Sequence, residues 1–379
     1  MKIALLTGSF DPVTYGHLDI FKRTAANFSK IMIGVGVNPA KKYLFTEAER
    51  IYMIKHLLNR PDIEVFAMGN KLTADVAYEL DACIVKGIRM GNADMDQERL
   101  LDDINQAHQR GLDTLILPCR PDTSFISSSA AKEVCKLNAN TELFVPHLVK
   151  EQMEMRLRQQ LRIGLTGTIG AGKSTIADAL VSTAHKIGIE VHNIDLDTIA
   201  HDILFRREEP VYQRLRQELA IQLGVSTWSR KSVGDVVFNN KEARQLLDQT
   251  MQTPLRTRLR AELYGKAGII LFNGALLLES GWSHLVNNRF IVLTVPEELQ
   301  RKRLLERGHT HEQAERRIQA QLNGEQKIAA VRNVIQQDHY GDYLEVNTTK
   351  PLEECLVDIF EQIQSWHKDI QSFKIAHEP

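Results

Sequence analysis

The chain is poor in cysteine, carries no excess of either charge and has no long apolar run. Among 379 residues there are four cysteines, Cys83, Cys119, Cys135 and Cys355, and no two form a CxxC pair. That scatter argues against a cysteine-ligated zinc site and a disulfide framework, and it suits a reducing cytoplasm. Lysine plus arginine number 47 against 48 aspartate plus glutamate, so no global basic field draws the protein to nucleic acid or a membrane. No stretch of 18 or more apolar residues occurs, so a transmembrane helix is not expected. The N-terminus MKIALLTGSFDP has no long apolar core and no small-residue cleavage site, and reads as a first buried strand rather than a signal peptide.

What is present is enough for two or three globular domains, with 43% hydrophobic residues over the whole length. Short apolar runs at Ile3–Leu6, Ile31–Val37, Ile63–Phe66, Ala82–Val85 and Thr114–Pro118 alternate with helical patterns at Leu18–Ala26, after Thr46, and over Asp94–Gln109. Thr46 followed by Glu49 fits a capping box. The alternation predicts an α/β fold with an open, doubly wound parallel sheet, whose ligands bind beyond the carboxyl ends of the strands. The rhythm breaks at HLVKEQMEMRLRQQLR, which reads as a charged, solvated helix between domains. A second α/β pattern then starts at Arg162–Leu165, with further strands expected at Val191–Ile194, Ile269–Leu271 and Phe290–Val295 and an amphipathic helix after Pro351. The expected division is a first domain over 1–150, a helical linker over 151–161 and a second domain over 162–379.

Two phosphate-handling signatures lie in these halves. The first is TGSFDPVTYGH, Thr7 to His17. Gly8 permits close backbone approach, Asp11-Pro12 forces a turn, and Gly16 and His17 stand where a helix begins, a position that favours anions. Thr14 and His17 can donate to phosphate oxygens. The second is GTIGAGKS, Gly167 to Ser174, between a predicted strand and a predicted helix, the context of a P-loop. Gly167, Gly170, Ala171 and Gly172 supply backbone N–H groups, Lys173 reaches the β- and γ-phosphates, and Ser174 offers a hydroxyl to Mg²⁺ beside Thr175. Farther on, Asp195 and Asp197 are expected to end a strand facing the same crevice, where a carboxylate can orient Mg²⁺ or take a proton from a hydroxyl.

With Asn38–Arg50, Val85–Glu98 and Ser124–Val134, the first signature resembles the T/HxGH nucleotidyltransferases and, more closely, phosphopantetheine adenylyltransferase. The resemblance implies a Rossmann-like domain that transfers AMP from ATP to 4′-phosphopantetheine, giving dephospho-CoA and pyrophosphate. It implies that Ser9, Lys41 and Lys86 hold the acceptor phosphate and that Lys41 bridges both phosphates. It also implies that Gly8, Ser9, Phe10, His17, Arg89, Glu98 and Ser127, Ser128 and Ser129 bind ATP, with His17 and Lys41 catalytic. Lys86 stands where that family commonly has arginine, and lysine cannot make a bidentate fork. The family commonly forms hexamers, which implies a homo-oligomer.

The second half, through its P-loop, DLDTIAH, Arg230–Leu247, Ala275–Glu279 and Gln300–Gln321, resembles dephospho-CoA kinase. The likeness implies a P-loop kinase that phosphorylates the 3′-hydroxyl of dephospho-CoA with Mg-ATP. Asp197 and Lys173 would be catalytic, Ser174 and Asp195 would be on the metal, and Arg303 and Arg307 would sit on a charged lid over ATP. Thr253-Pro254 replaces that family's His-Pro. The leading expectation is a bifunctional enzyme of coenzyme A synthesis with small-molecule substrates, no nucleic acid and no membrane. Alternatives are a kinase-like unit that only binds nucleotide for regulation or assembly, or an adenylyltransferase with another acceptor such as nicotinate mononucleotide. No KMSKS-like block supports a tRNA synthetase.

Overall fold

The computed structural model describes residues 3–89 and 92–375; side chains at 92–94, 97–98, 238–239 and 369–375 fall outside the description. The chain divides into two compact units, the first made mainly of residues up to 136 with 140–157, the second mainly of 158–367. Each has its own parallel sheet of five strands with helices packed on it.

Unit 1 runs β1 (Ile3–Gly8), α1 (Tyr15–Ala25), β2 (Lys30–Gly36), α2 (Glu47–Leu58), β3 (Ile63–Gly69), α3 (Thr73–Glu79), β4 (Ala82–Ile88), α4 (Asn92–His108), β5 (Thr114–Pro118), α5 (Ser128–Lys136) and α6 (His147–Arg158). The strand order is β3-β2-β1-β4-β5. The chain leaves β1 toward one edge and returns to add β4 on the other side of β1, so the switch point lies between the carboxyl ends of β1 and β4. Central strands such as β2 bury nearly all their side chains, which explains their near-continuous apolar runs. The capping box at α2 is present, with Glu49 Oε2 accepting from Thr46 N at 2.7 Å.

The helix α6 corrects the expectation of a solvated connector. Leu148 through Glu154 are buried, and Val149 and Met153 join the core of unit 1. Its charges are matched inside the fold: Lys150 pairs with Glu154 at 2.8 Å, and Arg156 pairs with Glu49 and donates to Leu44 O at 2.7 Å. Charge density alone suggested solvent because each partner lies on another turn or another element.

Unit 2 runs β6 (Gln160–Gly167), α7 (Lys173–Lys186), β7 (Val191–Asp195), α8 (Leu196–Phe205), α9 (Pro210–Leu223), α10 (Arg230–Asn239), α11 (Lys241–Leu263), β8 (Gly268–Asn273), β9 (Arg289–Thr294), α12 (Glu297–Glu306), α13 (His311–Gln319), α14 (Gly324–Asp338), β10 (Asp342–Asn347) and α15 (Leu352–Ile375). The order β10-β9-β6-β8-β7 puts the switch point between β6 and β9, next to the P-loop. All eight residues of β6 are buried, so the strand starts earlier than its apolar run, at Gln160. Asp197 is not on a strand as expected: β7 ends at Asp195, and Asp197 lies in the first turn of α8. Pro254 sits inside α11.

Candidate active sites

In unit 1 the turn after β1 is held by side chains well separated in sequence. Asp11 accepts from Leu44 N and Phe45 N, both at 2.9 Å, and pairs with Lys132 at 3.0 Å. Arg50, 1% exposed, donates to Ser9 O at 2.5 Å and Gly36 O at 3.0 Å. The Asp11-Pro12 peptide is cis. Phe10 adopts φ 47°, uncommon for a residue with a side chain, and its ring is gripped edge-on by His17 and Phe21 at 5.1 and 5.3 Å. A Cβ on Gly8 would come within 2.8 Å of that ring, so packing of Phe10 is the structural reason for glycine there.

The neighbouring helix fixes His17. Thr14 is the N-cap of α1, and the His17 Nδ1 accepts from Thr14 N at 3.1 Å in a reciprocal capping box. With Nδ1 an acceptor, the proton of the neutral ring resides on Nε2, which makes Nε2–H the outward donor. Burial, reinforced by the charge of Arg89, lowers the imidazole from 6.5 to about 4, so the ring is neutral near pH 7. Across the switch point Lys86 Nζ on β4 donates to Thr7 Oγ1 at 3.2 Å. Lys41 is exposed on the loop between β2 and α2.

Of the three serines, Ser127 caps α5 by accepting from Ala130 N at 3.1 Å, and Ser128 donates to Pro12 O at 2.8 Å, leaving Ser129 on the first turn. Gly8, Ser9, Phe10, His17, Lys86 and the start of α5 thus share the carboxyl end of the sheet. The side chain of Glu98 lies outside the described residues. Thr7, Tyr43, Arg50 and Lys132 were not singled out from the sequence, and Asp11 was read only as part of a turn. Arg50 and Tyr43 lie within the block Asn38–Arg50, but only the fold brings them to Ser9.

In unit 2 the loop after β6 turns through Gly170 and Gly172 at φ 75° and 80°, in the left-handed region, and Gly172 caps α7. Lys173 folds over the loop, donating to Gly167 O at 3.2 Å and Thr168 O at 3.4 Å. Burial lowers its ammonium to about 8; the charges of Asp197 and Glu279 oppose this, and those of Lys327 and Arg307 add to it. Ser174 and Thr175 stand exposed at the helix start.

Asp195 caps α8 through Thr198 N at 2.8 Å. Asp197 is exposed, yet desolvation by the surrounding fold raises its carboxyl; Asp195 adds to this, and the hydrogen bond from Ala275 N at 3.3 Å opposes it. The carbonyl of the same Ala275 accepts from Lys327 Nζ at 2.8 Å, and Lys327, wholly buried, also pairs with Glu279 at 2.6 Å. Lys327 is a component the sequence did not reveal; Glu279 lay in the block ALLLE without an assigned task.

The two lid arginines separate. Arg303 donates to Gly170 O at 2.8 Å and Thr348 O at 3.1 Å, so its guanidinium braces the loop. Arg307 is exposed at the end of α12, and its charge reaches Lys173. A cavity of about 310 Å³ opens beside the P-loop, lined by Thr168, Gln300, Gln321 and Asn323 among others.

Known proteins resemble the two units separately. Residues 5–134 match the family described as cytidylyltransferase-like, and residues 161–341 match the family described as dephospho-CoA kinase. A phosphopantetheine adenylyltransferase of Lactobacillus gasseri is 40% identical over 162 residues, which make 42% of this chain and 97% of the relative. That of Lactobacillus johnsonii is 38% identical over 159 residues, 41% of this chain and 95% of the relative. That of Leuconostoc citreum is 39% identical over 160 residues, 41% of this chain and 99% of the relative. Through its first unit the chain belongs to the phosphopantetheine adenylyltransferase family, and its second unit matches the dephospho-CoA kinase family over residues 161–341.

Proposed function

We propose that the chain carries out two consecutive ATP-dependent steps of coenzyme A synthesis, one per unit. In unit 1 a terminal oxygen of 4′-phosphopantetheine attacks the α-phosphorus of ATP. A P–O bond forms to the acceptor, the bond to the β-phosphate breaks, and pyrophosphate leaves with dephospho-CoA as the other product. The nucleophile is already anionic near neutral pH, so the site needs alignment and positive potential rather than a base. Ser9, Lys41 and Lys86 are assigned to the acceptor phosphate, with Lys41 bridging to the α-phosphate. His17 Nε2–H donates to the α-phosphate, while Arg89, Glu98, Ser129 and the N–H groups opening α5 take the rest of ATP.

In unit 2 the attacking group is a neutral ribose hydroxyl, so a base is required. Asp197 accepts the 3′-hydroxyl proton as the oxygen bonds to the γ-phosphorus and ADP departs. Its raised carboxyl suits that task. The P-loop amides from Gly167 to Thr175 and Lys173 bind the triphosphate, Arg307 neutralises the transferring group, and Arg303 keeps the loop in shape. Ser174 and Asp195 offer hard oxygen donors, and among the described residues no cluster of three or more His, Cys, Asp or Glu could hold a metal alone. That donor set fits Mg²⁺, which keeps waters and substrate phosphates as most of its ligands. When bound it would offset negative charge on the β- and γ-phosphates.

The partners on this reading are ATP, 4′-phosphopantetheine and dephospho-CoA, the setting is the cytoplasm, and the assembly is a homo-oligomer through unit 1. No helix of the described residues is long and apolar enough to cross a membrane. The observation that carries the reading is that each unit sets a glycine-bearing turn, a helix start and its own charged groups at the switch point of its own parallel sheet. Mass spectrometry of products from 4′-phosphopantetheine and Mg-ATP tests it. Coenzyme A with both pyrophosphate and ADP is expected. Arrest at dephospho-CoA would reduce unit 2 to a nucleotide-binding module.

A further inference from the structure

The loop between β2 and α2 carries Tyr43, whose phenol joins three segments of unit 1. Its oxygen accepts from Asn38 N at 2.6 Å and lies 3.3 Å from Ser9 Oγ. Its ring lies under the Arg50 guanidinium, 4.4 Å from the ring centre, and Arg50 itself holds the Ser9 carbonyl. Asn38 also shapes the loop: its Oδ1 accepts from Ala40 N and its carbonyl from Lys41 N, both at 2.9 Å. One hydroxyl therefore ties the backbone bearing Lys41 to the turn bearing Ser9.

The phenol and the Ser9 hydroxyl carry one proton each and either can donate across their contact; whichever does, one hydroxyl proton of the pair is left for an incoming anion. Burial alone would raise the Tyr43 hydroxyl, but the bonds to Ser9 and Asn38 and the charges of Arg50 and Lys41 outweigh it and hold it below its usual value. Positive potential therefore converges on this oxygen, as a phosphate neighbour requires.

We infer that Tyr43 is a positioning residue for the acceptor phosphate: it holds the Ser9 hydroxyl in a hydrogen-bonded pair and sets the Lys41 loop against the first turn, so that unit 1 selects an acceptor ending in a phosphate monoester. The inference rests on the reading that unit 1 adenylylates a phosphate.

The test uses the full chain. Tyr43→Phe keeps the ring under Arg50 and removes only the hydroxyl. The KM for 4′-phosphopantetheine should rise about five- to tenfold, while the KM for ATP stays within about twofold. Phosphorylation of supplied dephospho-CoA should be unchanged. Combined with Ser9→Ala, the loss should be non-additive, the double variant matching Ser9→Ala within about twofold. Equal rises in both KM values, or additive losses, would overturn the inference by making Tyr43 a general support of the loop. A Tyr43→Phe chain indistinguishable from an active wild type overturns it alone. A wild type that forms no dephospho-CoA removes the function reading and this inference together.

Discussion

The two sites face opposite problems with similar scaffolds. Both lie at the switch point of a parallel sheet and both stand where a helix begins. In unit 1 the imidazole in the first turn of the helix, His17, is held neutral by burial and by the charge of Arg89, while its Nδ1 accepts from its own helix cap. In unit 2 the corresponding region is a network of charges, with Lys173, Asp197, Lys327 and Glu279 influencing one another. On the proposed reading the difference follows from the nucleophile. A phosphate dianion brings its own charge and asks for fixed donors; a hydroxyl must lose a proton and asks for a carboxylate whose charge is balanced nearby.

Removing one cation or donor from each site should sharpen this contrast. Lys173→Ala should lower phosphorylation of dephospho-CoA by about 10³-fold or more and leave adenylyl transfer within about twofold, as read by separate ADP and pyrophosphate assays. Simultaneous loss of both would break the separation of the sites. His17→Ala should cut adenylyl transfer by about 10²- to 10³-fold with the far-ultraviolet circular dichroism intact. Asp197→Asn should lower the kinase kcat by about 10²-fold with a smaller effect on ATP affinity, measured by calorimetry. If Asp195→Asn does this instead, the base is the residue that ends β7.

A smaller effect concerns stability. The His17 pKa is lowered on folding from 6.5 to about 4, so the unfolded chain binds a proton that the folded chain refuses between those values. The stabilisation is complete above the unfolded value and declines as pH falls through the window, by at most about 3 kcal/mol and less where solvent reaches the ring. Urea unfolding of the wild type should weaken more between about pH 7 and about pH 5 than that of His17→Gln, which has no such proton. An identical slope in the two proteins would place the charge of His17 outside the folding equilibrium.

The sequence carried most of the architecture because buried parallel strands announce themselves as apolar runs; nine of the ten strands fall where such runs stand. The exception, β10, sets Tyr343 and Leu344 between Asp342 and Glu345 at an edge where only Val346 is fully buried, so its pattern is weak. The candidate residues on local motifs were legible for the same reason that motifs exist: a turn and a helix start must be contiguous. Lys327 and Tyr43 were not, since Lys327 lies 52 residues from Ala275 and Tyr43 lies 34 from Ser9. Nor was the use of Arg303, whose partners Gly170 and Thr348 meet it only through packing of β10 and α12 around the P-loop.

The fastening of α1 has a consequence for how the first unit comes to life. The interaction that starts the helix also decides which ring nitrogen bears hydrogen, so the imidazole is configured the moment Thr14 and His17 wind into their first turn. Reactivity need not await ligand to select a tautomer. Conversely, a second hydrogen on the ring would take from Nδ1 its place as acceptor for Thr14 N and turn that nitrogen toward Thr14 Oγ1, 3.0 Å away, so acid would rewrite the fastening from which the helix starts.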